Sequence, residues 1–303
     1  MKSSTIRTIF LINIVLLTSL LFTSCEKEIE VDLPEYESKI VIEGNIEPGE
    51  PAVVTVTRST DYFAHYDSAT LSRMFINNAI ITISDNFGNS ETLTFGIDPS
   101  QPIPFVYKGA AVLGQTGGVY TLKVKVEDKE YVATTSILPT VPIDTLFFVE
   151  QNQEDHSGII RVKFTDPAGV HNYYRVFCKV LGVDKSFLPV WGGATFDDRL
   201  IEGISTNGDI YKGAQSNLMQ DTSQGEERLT SRYFIPGDTV VVKWCSIDYN
   251  TYRFWYSAEM EINSGGNPFM TPAPIISNIP NALGVWSGYG TQIDTLVIPG
   301  SSK

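Results

Sequence analysis

Val119-Tyr120-Thr121-Leu122-Lys123-Val124-Lys125-Val126 alternates apolar and polar side chains for eight residues. That period belongs to a strand with one buried and one wetted face. Asp128-Lys129 then bends the chain into a second run, Tyr131 to Ile137, so the two read as a hairpin. Toward the N-terminus the same signal recurs in Ile40 to Ile46 and Ala52 to Thr57, with Pro48-Gly49 as the turn between them. Ala79 to Ser84 follows, then the turn Asp85-Asn86-Phe87-Gly88-Asn89 and a strand from Ser90 to Phe95. About seven short strands in roughly a hundred residues is the count of an immunoglobulin-like sandwich. Two stretches break the pattern. Arg58 to Phe75 has no period, and Ile97 to Gly118, with Pro99, Pro102, Pro104 and Gly117-Gly118, reads as an irregular loop.

Leu138-Pro139-Thr140-Val141-Pro142 is a stiff connector. Beyond it a second β-rich region shows strands at Asp144 to Gln151, Gly158 to Thr165, Tyr173 to Leu181 and Thr239 to Ile247. Gly182 to Ser231 is polar and glycine-spotted, which predicts long loops with short strands. Tyr249 to Ile262 holds no Gly or Pro and sets Tyr252, Trp255, Tyr256, Glu259 and Met260 at helical spacing. The tail runs through Pro272, Pro274 and Pro280 to a last strand, Thr291 to Ile298. The expected organisation is a leader over 1–24, an acidic tether over 25–38, an immunoglobulin-like sandwich over 39–138 and a second sandwich-like domain with one short helix over 143–303.

The leader assignment rests on the first residues. Lys2 and Arg7 precede an apolar stretch from Ile9 to Phe22, and small residues Thr23 and Ser24 lead to Cys25. This order is a secretory signal peptide, too short in its apolar part to span a bilayer comfortably. A cysteine directly after the cleavage-site residues points to acylation of its thiol and a lipid-held membrane protein. Leu21 stands one place before the usual leucine position, which Phe22 occupies. Glu26-Lys27-Glu28-Ile29-Glu30-Val31-Asp32 follows. It resembles the lysine-plus-acidic signal that sends some Bacteroidetes lipoproteins to the outer face of the outer membrane, and it reads equally well as a solvated tether.

The 303 residues carry a net charge of −13, and loss of Lys2 and Arg7 with the leader brings the mature chain to −15. A surface this acidic repels phosphate backbones, so nucleic acid is excluded as a partner. Removing Cys25 from the three cysteines leaves Cys178 and Cys245, both in apolar strand-like runs. An exported compartment permits a bridge between them; two buried free thiols fit the same sequence.

Catalytic signatures are missing from the sequence: no Gly-x-Ser-x-Gly elbow, no His-Glu-x-x-His, no phosphate-cradling glycine loop. Asp197-Asp198 and Glu226-Glu227 are adjacent pairs, and neighbours on a strand point to opposite faces. The expectation is therefore a non-catalytic protein with no cofactor and no metal centre. Candidate ligand or partner contacts are Tyr62, Phe63 and Tyr66 in one aromatic and acidic loop, and Trp191 beside Gly192-Gly193.

Several stretches in order carry a wider resemblance. They are Lys39 to Ile46, Asn78 to Gly88, Gly118 to Leu122, Phe164 to Gly169 with Asn172 to Arg175, and Asn267-Pro268 with Ser277-Asn278-Ile279 and Leu283 to Tyr289. Together they resemble the DUF4249 family of lipoprotein-like Bacteroidetes proteins across almost all of the mature chain. The family shows a Gly-Gly-Leu-Gly-like turn before an aromatic residue; here Asn281-Ala282 replace its first part and Trp286 supplies the ring. The resemblance implies no established activity and no catalytic residues. It does imply association with TonB-dependent outer-membrane transporters, and hence an accessory role in nutrient capture or uptake at the cell surface. The other reading is a self-standing surface adhesin or glycan-binding lipoprotein.

Overall fold

The computed structural model describes residues 37–60, 74–213, 231–264 and 274–300. The leader, Cys25, Tyr62, Phe63 and Tyr66 lie outside the described residues. The fold is mainly β, built from two sandwiches within the unit Ser38–Lys303.

In the first sandwich, β1 (Ile40–Ile46), β2 (Pro51–Arg58), β5 (Thr94–Ile97), β6 (Phe105–Leu113) and β16 (Leu283–Gly288) form a sheet of order β16-β1-β2-β6-β5. A second sheet of order β4-β3-β7-β8 is formed by β3 (Ile80–Asp85), β4 (Ser90–Thr92), β7 (Val119–Val126) and β8 (Lys129–Ser136). Ile42, Ile46, Val54 and Val56 from one sheet pack with Ile81, Ile83, Tyr120, Leu122 and Val124 from the other. The alternation read in Val119–Val126 thus buries Tyr120, Leu122, Val124 and Val126, and leaves Lys123 and Lys125 outside.

Two strands correct the sequence reading. β6 lies in the stretch expected to be an irregular loop. Its period is blurred because the Glu91 carboxylate accepts the backbone N–H groups of Ala110, Ala111 and Val112 at 2.8–3.0 Å, where a neighbouring strand would bind. Near this place the chain also changes sheets, since β4 belongs to one and β5 to the other, with buried Leu93 between them. The larger correction is β16. It pairs in parallel with β1, Val41 opposite Leu283 through Ile46 opposite Gly288, and carries a C-terminal stretch into the N-terminal core. Trp286 is fully buried there and its indole Nε1 donates to the Tyr120 carbonyl at 2.9 Å. A Cβ on Gly44 would come within 3.0 Å of that ring, so glycine makes the space. On its free side, β16 is blocked by side chains. Asn278 donates to the Trp286 carbonyl and accepts its N–H (2.8 and 2.9 Å), and Ser277 donates to the Gly284 carbonyl (2.8 Å). Such covering protects an edge strand from pairing with other chains.

The second sandwich sets the sheet β14-β10-β9 against β12-β11-β15-β17, with β13 also on β11. Its strands are β9 (Ile143–Glu150), β10 (Gly158–Thr165), β11 (Tyr173–Val180), β12 (Leu188–Pro189), β13 (Thr195–Asp197), β14 (Ser205–Ile210), β15 (Thr239–Ser246) and β17 (Gly290–Val297). Phe164, Tyr174, Val176, Val242 and Trp244 form the centre of its core. Cys178 faces Val242 across the pair, whereas Cys245 lies opposite Arg175. The odd offset of three residues puts the two thiols on opposite faces of the sheet. Both are free and buried, and burial pushes each thiol up to about 12. The single helix expected from spacing is α1 (Tyr249–Ser264), which starts where the Asp248 carboxylate accepts the Thr251 N–H at 2.8 Å.

The chain passes from the first sandwich to the second at two places, over residues 137–142 and again at Tyr289 between β16 and β17, having returned to the first between α1 and β16. The two crossings touch. A Cβ on Gly290 would fall 1.9 Å from the Leu138 carbonyl oxygen, so only glycine lets the backbones pass. Thr135 ties them to the helix: its hydroxyl accepts from Gly288 N–H (2.8 Å) and donates to the Asp248 carboxylate (2.6 Å).

Trp286→Ala is expected to cost about 3–5 kcal/mol of unfolding free energy in urea titrations, as for other buried large-to-small changes. Trp191→Ala, at an exposed position, should stay within about 0.5 kcal/mol of the parent. Equal effects of the two would contradict the placement of β16.

Candidate functional site

Trp191 follows β12 at a turn in which Gly192 and Gly193 take positive φ. Its ring is 47% exposed and meets Tyr211 edge-on at 6.0 Å; Tyr233 lies 6.3 Å beyond. The Arg232 guanidinium sits 4.0 Å from the Trp191 ring centroid. This is a surface of rings with one cation. The acidic pair beyond it does not converge. Asp197 accepts from the Tyr252 hydroxyl (3.0 Å) and pairs with Arg199 (2.7 Å). Asp198, fully buried, binds His171 Nδ1 (2.7 Å) and the Asn172 N–H (2.6 Å). The bond and charge of Asp198 raise the His171 pKa, and the pair pins the loop before β11. The motif Phe164 to Gly169 is also structural, since buried Asp166 receives the Tyr174 hydroxyl.

A second concentration of charge was not visible in the sequence. It lies where Glu47, just after β1, meets Lys243 of β15 and where Tyr289, just after β16, meets Phe177 of β11, with α1 packed against β16, β11 and β13. Alternation aims Glu43 and Asn45 of β1 outward, and the register sets Val285 and Ser287 beside them. The same alternation aims Arg175 and Phe177 of β11 and Lys243 and Cys245 of β15 out of the second core. Tyr289, Cys245, Ile247 and Tyr252 fill the space between as a third small cluster, flanked by Tyr173 and Phe177.

Arg175 is 2% exposed. Its Nη1 donates to Glu259 and to Thr195, each at 2.6 Å, and its Cζ lies 3.8 Å from the Trp255 ring centroid. Glu259 in turn accepts the N–H groups of Ala194 and Thr195 at 3.1 Å. Lys243 pairs with Glu47, whose other oxygen accepts from Thr291 at 3.3 Å. The Lys243 ammonium also lies 5.2 Å from the Phe177 and Phe187 ring centroids and 5.8 Å from that of Tyr289. Two cations are thus each held by one carboxylate and by aromatic faces, the arrangement that makes burial of charge tolerable.

Glu43 is the odd charge. It keeps contact with solvent, yet its surroundings desolvate it and raise its pKa; the Arg175 guanidinium only partly opposes this. Among the described residues no hydrogen bond or ion pair engages the Glu43 carboxylate. Burial likewise raises the pKa of the neighbouring Tyr289 phenol, which stays protonated.

Glu47→Ala should cost about 3 kcal/mol in denaturant unfolding, because it strands Lys243 in an enclosed position. The double variant Glu47→Leu/Lys243→Met should recover most of that loss. For Glu43 the sign is opposite. The folded state holds its proton more tightly than the unfolded chain, so that stabilisation is complete below about pH 4.5 and is lost as pH rises through the folded value. Glu43→Gln should therefore raise the melting temperature at pH 7 and leave it unchanged at pH 4. A lower melting temperature at pH 7 would contradict this.

A family model described as "Domain of unknown function (DUF4249)" matches residues 26–293. No curated protein matches the chain. The span takes in the first sandwich with β1 and β16, and the second up to the middle of β17, and on that match the chain belongs to the DUF4249 family.

Proposed function

We propose that the protein is a non-catalytic lipoprotein, anchored through Cys25 to the outer membrane, that serves as an accessory subunit of a TonB-dependent transporter. The observation that carries the anchoring is the order of the N-terminus: a cationic start, an apolar run, small residues and then Cys25. The family match supports it by beginning at Glu26, directly after that cysteine. The acidic segment after Cys25 suits exposure at the cell surface. The transporter partnership rests on the family resemblance. A body whose chain passes three times between its sandwiches suits docking on a barrel, because it presents fixed loops with little ordering cost. The strand orders β1-β2-β6-β5 and β4-β3-β7-β8 support the immunoglobulin-like reading of the first sandwich.

A second reading, glycan binding by a self-standing adhesin, draws on one specific feature. Trp191, Tyr211 and Tyr233 with Arg232 form an aromatic surface of the kind that stacks on sugar rings.

Purification of the lipidated protein in mild detergent, followed by mass spectrometry, should recover a TonB-dependent transporter. Cys25→Ala should move the protein from the membrane to the soluble fraction. Recovery of no transporter, with sugar binding that Trp191→Ala abolishes, would replace the accessory reading with the adhesin one. Membrane fractionation unchanged by Cys25→Ala would overturn the anchor.

A further inference from the structure

Three separate chain segments build the Trp191 surface, and each is fixed from below. Val190, Ile210 and Phe234 are buried in the second core, and each stands next to a residue of the surface: Trp191, Tyr211 and Tyr233. Backbone bonds stitch the segments together. The Trp191 N–H donates to the Tyr211 carbonyl (3.3 Å), and the Lys212 N–H to the Arg232 carbonyl (2.9 Å). Gly158 and Phe234 exchange both backbone bonds (2.9 and 2.8 Å), which ties the segment of Tyr233 to β10. The rings are thus set in advance, and a ligand meets them at little ordering cost. Space beside Trp191 is open, since a Cβ added at Gly192 or Gly193 would meet nothing within 4 Å.

Arg232 gives this surface its sign. Of the described arginines, Arg58, Arg161, Arg175 and Arg199 each pair with a carboxylate. Arg232 has no such partner, in a chain of net charge −13. Its guanidinium lies instead over the Trp191 ring, with Cζ 4.0 Å from the centroid. Stacking engages the flat face of the group. The N–H donors lie in its plane, and among the described residues no acceptor engages them. Asp209, two residues before Tyr211, is already taken by Arg161 at 2.6 and 3.1 Å. A planar cation with free edge donors fits a carboxylate bidentately. Rings that carry hydroxyls fit a molecule with an apolar face and a polar rim, which describes a pyranose. A neutral sugar would leave Arg232 unanswered, and a bare carboxylate would leave the rings unused.

We propose that the Trp191 surface is a site for acidic saccharides. The pyranose ring of a uronic acid unit packs on the aromatic row, and its carboxylate is received by the edge of Arg232. This inference rests on the glycan-binding reading of the surface and is independent of the transporter partnership. It narrows the ligand from sugars in general to uronate-bearing ones.

The test is calorimetric titration of the full-length protein in detergent. The probes are galacturonate and glucuronate oligosaccharides, their neutral galactose and glucose counterparts, and tetraglutamate as an anion without a sugar ring. At least one uronate oligosaccharide should bind more tightly than its neutral counterpart, and added salt should weaken it. Arg232→Gln should weaken uronate binding about tenfold to a hundredfold, the range for a lost charge-assisted bond, and leave neutral sugars unaffected. Trp191→Ala should weaken every sugar that binds by about tenfold. Both positions are exposed, so both variants should fold, which melting curves check. If one fails to fold, the salt dependence and the comparison with neutral sugars still decide. Neutral sugars bound as tightly as uronates, or uronate affinity unchanged in Arg232→Gln, would overturn the proposal and leave the glycan reading standing. Binding of no saccharide, or a preference for tetraglutamate, would overturn both.

Discussion

The parallel pairing of Leu283–Gly288 with Ile40–Ile46 is the constraint on which the rest of the structure depends. A chain that simply ran through one sandwich and then the other would be joined by one connector and would be free to hinge there. Here the last part of the chain returns to the first sheet, buries Trp286 in its core and leaves again through Tyr289 into the second. Three passages of chain now link the two sandwiches, and two of them touch at Gly290 and Leu138. Rotation of one sandwich against the other would break the Glu47–Lys243 pair and distort the Thr135–Asp248 tie at the start of α1. Relative domain motion is the ordinary expectation for two domains on one linker; this topology removes it.

A fixed junction explains why buried charge is tolerated there. Bringing Lys243 and Arg175 out of water costs several kcal/mol per ion unless geometry is held well. Both are held from two sides. Lys243 of the second sandwich meets Glu47, which follows β1 of the first, and Arg175 is gripped between Glu259 of the helix and the Trp255 face. Such pairs stabilise less than an apolar filling would, but they specify one register, and a junction built from outward-facing sheet surfaces needs that. Against this matched background Glu43, which no hydrogen bond or ion pair engages among the described residues, stands out.

The sequence carried the sandwiches better than it carried their connection. Strands with one wet face announce themselves by alternation, as in Val119–Val126 and Gly158–Thr165, and α1 was legible from its spacing and lack of Gly and Pro. β6 was hidden because Glu91 takes the place of a partner strand and because Gly109-Ala110-Ala111 offers no contrast between faces. β16 was hidden for a different reason. It is buried on both sides after Leu283, so nothing alternates, and its partner lies some 240 residues away. Its signal is Ser277-Asn278 ahead of Trp286, whose physical meaning, the covering of a strand edge, is visible only once the strand is in place. Trp191 was legible as a ring between glycines. The junction was not, since Glu43, Arg175, Lys243 and Glu259 each look like ordinary solvated positions on their own elements, and only the fold brings them together.

The proposed role calls for a body that keeps its shape, and the return strand ties the two sandwiches together. The claim is tested most directly by native-state hydrogen exchange on the full-length protein across a denaturant series. One cooperative body predicts that amides of β1, β16, β15 and β17 exchange through the same opening, with the same free energy and the same denaturant dependence. Exchange of β9 to β15 at a lower denaturant concentration, while β1 and β16 stay protected, would show two independent domains and contradict the account.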